Sequence, residues 1–454
     1  MNFPENFVWG VAAAAYQIEG AAYDEGKGLS VWDMFCRKPG AVWNGHTGDV
    51  ACDHYHRYQE DVALMKELGL PAYRLSVSWP RVLPQGVGAV NEKGLDFYDR
   101  LIDELLAANI TPYVTLFHWD YPLELFRRGG WLNPDSPEWF ADYTRLMVER
   151  LSDRVRHWMT YNEPRVFVGL GHEIGRHAPG LQFGLPDVLQ MCHHVMLSHG
   201  RGVQTIRAYS KTPSQVGCVV TTGFQQMPAT NRPEDIEAAR EAMFSISTPN
   251  CFHTALWLDP ILLGRYPDTA YSTYGDAMPV IHDGDLATMH QPLDFIGLNI
   301  YFGEQYAAGS DGRPEKVPFP AGHPQTAFRW FVTPEALYWG PKFVYERYGV
   351  PVMITENGLS NLDWVSTDGK VHDPQRIDFL RRYLIELRRA CADGVDVRGY
   401  FQWSILDNFE WAEGYKERFG LVHVDYQTQK RTPKDSAFWY KSIIASNGRA
   451  LDEI

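Results

Sequence analysis

Along the chain, short apolar runs with strand character alternate with longer stretches whose apolar residues recur on one helical face, the pattern of a parallel sheet. Eight such runs are present: FVWGVAAA from Phe7, AYRLS from Ala72, TPYVTLF from Thr111, HWMTYN from His157, QVGCVV from Gln215, DFIGLNIY from Asp294, PVMIT from Pro351 and VRGYFQWS from Val397. Val352, Met353 and Ile354 read as a strand buried on both faces. Eight is also the number of strands that closes an α/β barrel. Between the runs, EKGLDFYDRLIDELLAAN sets Leu95, Tyr98, Ile102 and Leu105 on one helical face, with Asn109 as its C-terminal cap, and RYQEDVALMKELG is a second helix ending at Gly69. No repeat of solenoid period, low-complexity tract or dividing linker interrupts the alternation. The expected fold is α/β, a (β/α)8 TIM barrel with long βα loops, forming one catalytic domain over residues 1–454.

Length changes this picture little. A chain of 454 residues with 45% hydrophobic content suggests about three domains by length alone, yet barrels of roughly 250 residues grow past 400 by loop insertion. Charge removes whole classes of partner. With 42 Lys and Arg against 56 Asp and Glu, the formal charge is -14, so no nucleic acid and no anionic membrane surface is expected as partner. The six cysteines form no CxxC pair and read as reduced packing residues. MNFPENFVWGVAAAAYQIEG has no Lys or Arg ahead of Lys27 and so lacks the basic region of a signal peptide. No run approaches the ~18 apolar residues of a membrane span. A cytoplasmic protein is expected; the pattern is silent on oligomeric state.

The candidate chemistry lies where the strands end. The first run is followed by Tyr16-Gln17, the second contains Arg74, the third leads to His118-Trp119, and the fourth ends Asn162-Glu163-Pro164. The sixth delivers Asn299 and Tyr301, the seventh Glu356, and the eighth passes through Trp403 to Glu410-Trp411; the fifth ends without an evident functional group. Taken singly, Tyr301 and Trp403 read as core aromatics, His118 as a structural histidine, Arg74 as an ion-pair partner, and Glu163 and Glu356 as cap or turn residues. Taken together they gather at the carboxyl ends of a parallel barrel, where ligands bind. Two carboxylates, neutral hydrogen-bonding groups and indole faces fit sugar hydrolysis best, because hydroxyls need such partners and a carboxylate pair supplies the acid and the nucleophile or base. No metal or cofactor is required.

Competing chemistries are less well supported. His54 and His56 in HYH imitate the paired histidines of metal-dependent barrel hydrolases, but they sit where a helix starts, before the second strand. CHHVMLSHG places His194 and His199 on a helix without the glutamate of HExxH. Neither a Walker-type loop nor a GxGxxG fingerprint is present, so phosphoryl and hydride transfer lack their usual machinery.

FVWGVAAAAYQIEGA, TLFHWDYPLEL, WMTYNEP, DFIGLNIY, VMITENG and FQWSILDNFEW resemble family 1 glycoside hydrolases, specifically the β-glucosidase members, from about Phe3 to about Tyr440. The resemblance implies a (β/α)8 barrel that releases β-linked glucosyl residues, with galactosyl and fucosyl residues as further candidates, from the non-reducing end with retention of configuration. A catalytically silent sugar-binding protein on the same barrel is the alternative. Carried over by position, Glu356 in TENG resembles the nucleophile and Glu163 in NEP the acid/base. Gln17, His118, Asn162, Trp403, Glu410 and Trp411 resemble residues that hold the terminal sugar, and Arg74, Asn299 and Tyr301 the groups around the nucleophile. Two positions depart from the family pattern: Arg165 follows NEP, where an aromatic is common, and Gly171-His172 replaces the usual GY. Both bear on the leaving-group side.

Charge placement yields three more expectations. Arg74 and Tyr301 keep Glu356 ionised, and the charge on Glu356 keeps Glu163 protonated for the first step. An ionised Glu410 repels a 6-phosphate on the sugar. The Gly- and Pro-rich segment from Gly303 to about Ala327 is a long loop at the leaving-group entrance, with Trp330 at its end as a stacking platform.

Overall fold

A computed structural model describes residues 2–453. The eight apolar runs form β1 (Val8–Ala12), β2 (Ala72–Ser76), β3 (Thr111–Phe117), β4 (His157–Asn162), β5 (Gln215–Thr221), β6 (Phe295–Asn299), β7 (Val352–Asn357) and β8 (Val397–Trp403). All pair in parallel with their sequence neighbours. The ring closes where β1 meets β8, with Val8 opposite Gly399 and Ala12 opposite Trp403. Helices follow the strands and cover the outside, giving the expected TIM barrel.

Local signals account for the helices. The helix Glu92–Ala107 buries Leu95, Tyr98, Leu101, Ile102 and Leu105 against the barrel, each such side chain contributing ~1.5–3 kcal/mol. It ends two residues before Asn109, which takes φ +60°, and the helix His54–Glu67 is followed by Gly69 at φ +69°. Both residues stop their helices in the left-handed conformation that Gly and Asn tolerate best.

Inside the ring, Ala12, Ala72, Tyr113, Met159, Val219, Phe295, Met353 and Phe401 form a core separate from the shell between strands and helices. Large and small residues interlock there. A Cβ on Gly10 would stand 2.5 Å from the Phe401 ring, so the bare glycine leaves that ring its place.

Several boundaries differ from the sequence reading. The first run stops being a strand at Ala12 and turns into a short helix, Ala15–Ile18, that carries Gln17. Strand β7 continues to Asn357, so Glu356 lies within the strand instead of past it. The segment after Gly303 is not a plain loop: Gly303–Ala308 and Pro314–Val317 form an antiparallel hairpin, and Gln225–Pro228 joins its first strand in parallel. The alternation in GEQYAA is too weak to mark a strand that only half buries its side chains.

The loops after β7 and β8 share one buried anchor. Lys434, fully buried, donates to Asp363 at 2.6 Å and to Asp407 at 2.7 Å. Arg376 donates to Asp363 at 2.7 Å and also to Asp373, while Arg418 holds Asp407 at 2.6 Å. Paired charges of this kind fix loop position because a buried carboxylate without a partner is strongly unfavourable.

Candidate active site

The carboxyl ends of the strands open onto a cavity of about 500 Å³. Glu163, Glu356, His118, Asn162, Tyr301, Trp330, Trp403, Glu410 and Trp411 line it. Arg74, Asn299 and Gln17 are buried behind it and act through hydrogen bonds.

Both carboxylate-bearing strands break register just before their functional residues. Strand β4 slips against β5 between Met159 and Asn162, and β7 slips against β6 between Ile354 and Glu356. Such irregularities re-aim side chains at sheet ends. Glu163 then takes φ +48°, as does Trp411, and Trp119 takes φ +79°. Left-handed backbone in residues with a Cβ costs of order 1–3 kcal/mol and persists only where surrounding structure enforces it.

One hydrogen-bonded chain links the two carboxyls. Arg74 donates from Nη1 to Glu356 Oε1 at 2.6 Å and from Nη2 to Asn162 Oδ1 at 2.7 Å. Asn299 Nδ2 donates to the same Asn162 oxygen at 2.9 Å and to Glu163 Oε1 at 2.7 Å. Thr355 Oγ1 donates to Asn299 Oδ1 at 2.7 Å, which fixes which end of that amide faces Glu163. The Tyr301 hydroxyl donates to Glu356 Oε2 at 2.7 Å.

These contacts divide the pair electrostatically. Burial, reinforced by the Glu356 charge, pushes the Glu163 carboxyl up to about 8, against the pull of Asn299 and Arg74. Burial also raises Glu356, and here the expectation from Arg74 and Tyr301 needs correcting, since desolvation exceeds their stabilisation of the charge. Glu356 still holds the guanidinium and the phenol, so it is the member that ionises first. Burial keeps Tyr301 well above the usual phenol range, so it remains a donor.

A second group of contacts forms the opposite end. The Asn162 amide donates to His118 Nε2 at 3.0 Å. Burial, with Arg74 adding to it, holds His118 well below the ordinary imidazole range, so the ring is neutral and Nδ1 carries its proton. His118 stacks 5.9 Å from both Trp403 and Trp411. Gln17 Nε2 donates to Phe409 O at 2.8 Å, to Asn408 Oδ1 at 3.0 Å and to Glu410 at 3.4 Å, while its Oε1 has no partner. Glu410 is pushed well above the ordinary carboxyl range by burial, then by Glu356, Glu417 and Glu163. The expectation of a simply ionised Glu410 is therefore corrected in direction: its surroundings favour the protonated carboxyl.

The sequence reading missed one wall. The end of strand β5 and the loop after it contribute Thr221, Gly223 and Phe224, and Phe252, Phe302, Phe328 and Phe419 add rings. Trp330 stacks on Phe302 at 4.9 Å and on Phe328 at 4.4 Å. These residues come from irregular segments, where no period marks a side as inward. Asn408, which anchors Gln17, lies inside the quoted DNFEW motif. His56 bonds Asp53 at the start of its helix at 2.6 Å, and His54 bonds Asp61 in the same helix at 2.8 Å.

Known proteins repeat this chain almost end to end. It is 47% identical over 449 residues to the 1,4-beta-D-glucan glucohydrolase of Thermotoga neapolitana, covering 98% of this chain and 99% of that one. It is 41% identical over 471 residues to a bifunctional beta-D-glucosidase/beta-D-fucosidase of Bifidobacterium breve, covering 98% of this chain and 99% of that one. The solved structure of the beta-glucosidase from Thermotoga maritima in complex with glucoimidazole matches with a TM-score of 0.90 and 45% identity, over 98% of this chain and 99% of that one. The glycosyl hydrolase family 1 model spans residues 1–449. A closed parallel barrel with a carboxyl pair at its mouth, shared along its whole length with such relatives, means that the chain belongs to glycosyl hydrolase family 1.

Proposed function

We propose that this hydrolase is a retaining β-glucosidase in which Glu356 is the nucleophile and Glu163 the acid/base, the whole chain serving as one catalytic domain. The observation that carries the reading is the unequal support of the two carboxyls: Glu356 takes a guanidinium at 2.6 Å and a phenol at 2.7 Å, while Glu163 takes a neutral amide at 2.7 Å. In the first step the ionised Glu356 attacks the anomeric carbon, and Glu163 gives its proton to the departing glycosidic oxygen. The ester that forms on Glu356 removes the neighbouring charge. Glu163 then loses its proton more readily and takes one from the water that hydrolyses the ester.

The terminal sugar takes its contacts from the far end of the cavity. Asn162, neutral His118 and Gln17, whose Oε1 is an unused acceptor, meet its hydroxyls, and Trp403 and Trp411 meet its C–H faces. Glu410 meets the 4- and 6-hydroxyls, and Tyr301 with Asn299 keeps the reacting carboxyls in place. Glucosides are the main substrates; fucosides and galactosides follow, supported by the dual-specificity relative from Bifidobacterium breve. Release of glucose from short β-glucans fits a part in cellulose degradation. A silent sugar-binding protein would have no use for a carboxyl kept protonated beside a nucleophile. The six free thiols, all but Cys391 buried, support a reducing compartment, the cytoplasm.

A proton NMR time course on 4-nitrophenyl β-D-glucoside tests the reading. β-Glucose must appear first and mutarotate later; first-formed α-glucose, or no hydrolysis, would overturn it.

A further inference from the structure

Arg165 has no task in the glycone half of the cavity. It follows Glu163 and Pro164 on the short helix Pro164–Val168, which puts it on the side from which the acid/base reaches the leaving group. It is 8% exposed and lines the cavity. Neutral groups of the cavity wall hold its guanidinium: Nη1 donates to Thr221 O at 3.2 Å and to Thr254 Oγ1 at 3.5 Å, and Nη2 donates to Phe252 O. Other deeply buried arginines are built differently. Arg74, Arg81 and Arg376 each hold a carboxylate, whereas among the described residues none lies within ion-pair distance of Arg165, and Glu163 acts on it only from beyond that distance. A buried cation without a counter-charge is unfavourable unless a bound anion completes it.

The chain also makes room for this group. Gly223, at φ +67°, would bring a Cβ to 3.0 Å from Arg165 Nη2. The cavity further offers the rings of Trp330, Phe302 and Phe328 as a flat apolar wall, and Phe224, 53% exposed, packs edge-on against Phe302 at 4.9 Å. An aromatic face and an anchored cation together describe a planar, acidic leaving group.

Resting on the glucosidase reading, we propose that Arg165 makes the leaving-group half selective for an aryl ring that carries a carboxylate, so that glucosides of phenolic acids are a preferred substrate class. The probes are 4-carboxyphenyl β-D-glucoside and its methyl ester, compared by kcat/KM at pH 7 in the wild type, Arg165→Gln and Arg165→Lys. Comparing the acid-to-ester ratio between proteins cancels the difference in leaving-group ability. The ratio should fall about tenfold or more in Arg165→Gln, the loss of one charge-assisted contact, and Arg165→Lys should keep part of it. An unchanged ratio, or an equal loss on both substrates, would reduce Arg165 to a wall residue and overturn the proposal. If Arg165→Gln does not fold, inhibition of the wild type decides: 4-hydroxybenzoate must inhibit more strongly than its methyl ester, and equal inhibition overturns the idea. Failure of the wild type to hydrolyse either glucoside would instead refute the glucosidase reading itself.

Discussion

Arg74 places Nη1 2.6 Å from Glu356 Oε1, although the two residues lie 282 positions apart in sequence. The same guanidinium reaches Asn162, next to Glu163, at 2.7 Å. The cation thus favours the ionised form of Glu356, while burial and the Glu356 charge outweigh its pull on Glu163 and keep that carboxyl protonated.

The bias sets a pH profile. The pair titrates as a unit, with the proton on Glu163 leaving near pH 8. kcat/KM should therefore fall as pH rises through about 8, and the acidic limb should report Glu356. In Arg74→Met the acidic limb should move to higher pH and kcat should drop by about 10²–10³. An acidic limb that stayed in place would show that Arg74 does not act on Glu356.

The raised Glu163 carboxyl also has a cost in stability. The folded protein binds this proton more tightly than the unfolded chain, so the contribution of Glu163 to stability is present at acidic pH and lost as pH rises toward about 8. Glu163→Gln should melt above the wild type at pH 8 and level with it near pH 4. Calorimetry at both pH values checks this; a variant that melts lower at pH 8 would contradict it.

An external anion separates the two roles. Glu356→Gly should lose hydrolysis, and azide in the vacated space should restore reaction with an activated glucoside, giving the α-configured glucosyl azide. Glu163→Ala should act only on good leaving groups and give the β-configured azide through the intact Glu356 ester. Products of one configuration from both variants would undo the assignment.

The corner around Glu410 should reject phosphate. Burial, then Glu356, Glu417 and Glu163, raise the Glu410 carboxyl well above its ordinary range, and surroundings that disfavour one negative charge disfavour a dianion more. kcat/KM for 4-nitrophenyl β-glucoside 6-phosphate should be at least about 100-fold below that for the unphosphorylated substrate. Glu410→Ser should narrow the gap chiefly by weakening the plain glucoside. Comparable values in the wild type would refute this reading.

The anchor behind the loops is testable through stability. Lys434→Ala leaves Asp363 and Asp407 buried with one arginine each, and should cost about 3 kcal/mol. Thermal or denaturant unfolding measures the loss, and a change under about 0.5 kcal/mol, typical of a neutral surface substitution, would show the network to be dispensable.

The sequence by itself determined the eight strands, their parallel order and the carboxyl pair at their ends. Strand character is a local property, and PVMIT before Glu356 or HWMTYN before Glu163 mark buried strands whose ends must share one face of a barrel. Only the tertiary structure decided what those residues touch. The slips in β4 and β7 that aim Glu163 and Glu356, the wall from Phe224 to Trp330 and the pairing of Lys434 with two distant loops depend on how the ring closes, which no short window contains. Protonation belongs to the same category. Glu410 was read as charged because its own chemistry is acidic, but burial and three neighbouring carboxyls, brought together from separate strands and loops, push it toward the protonated form.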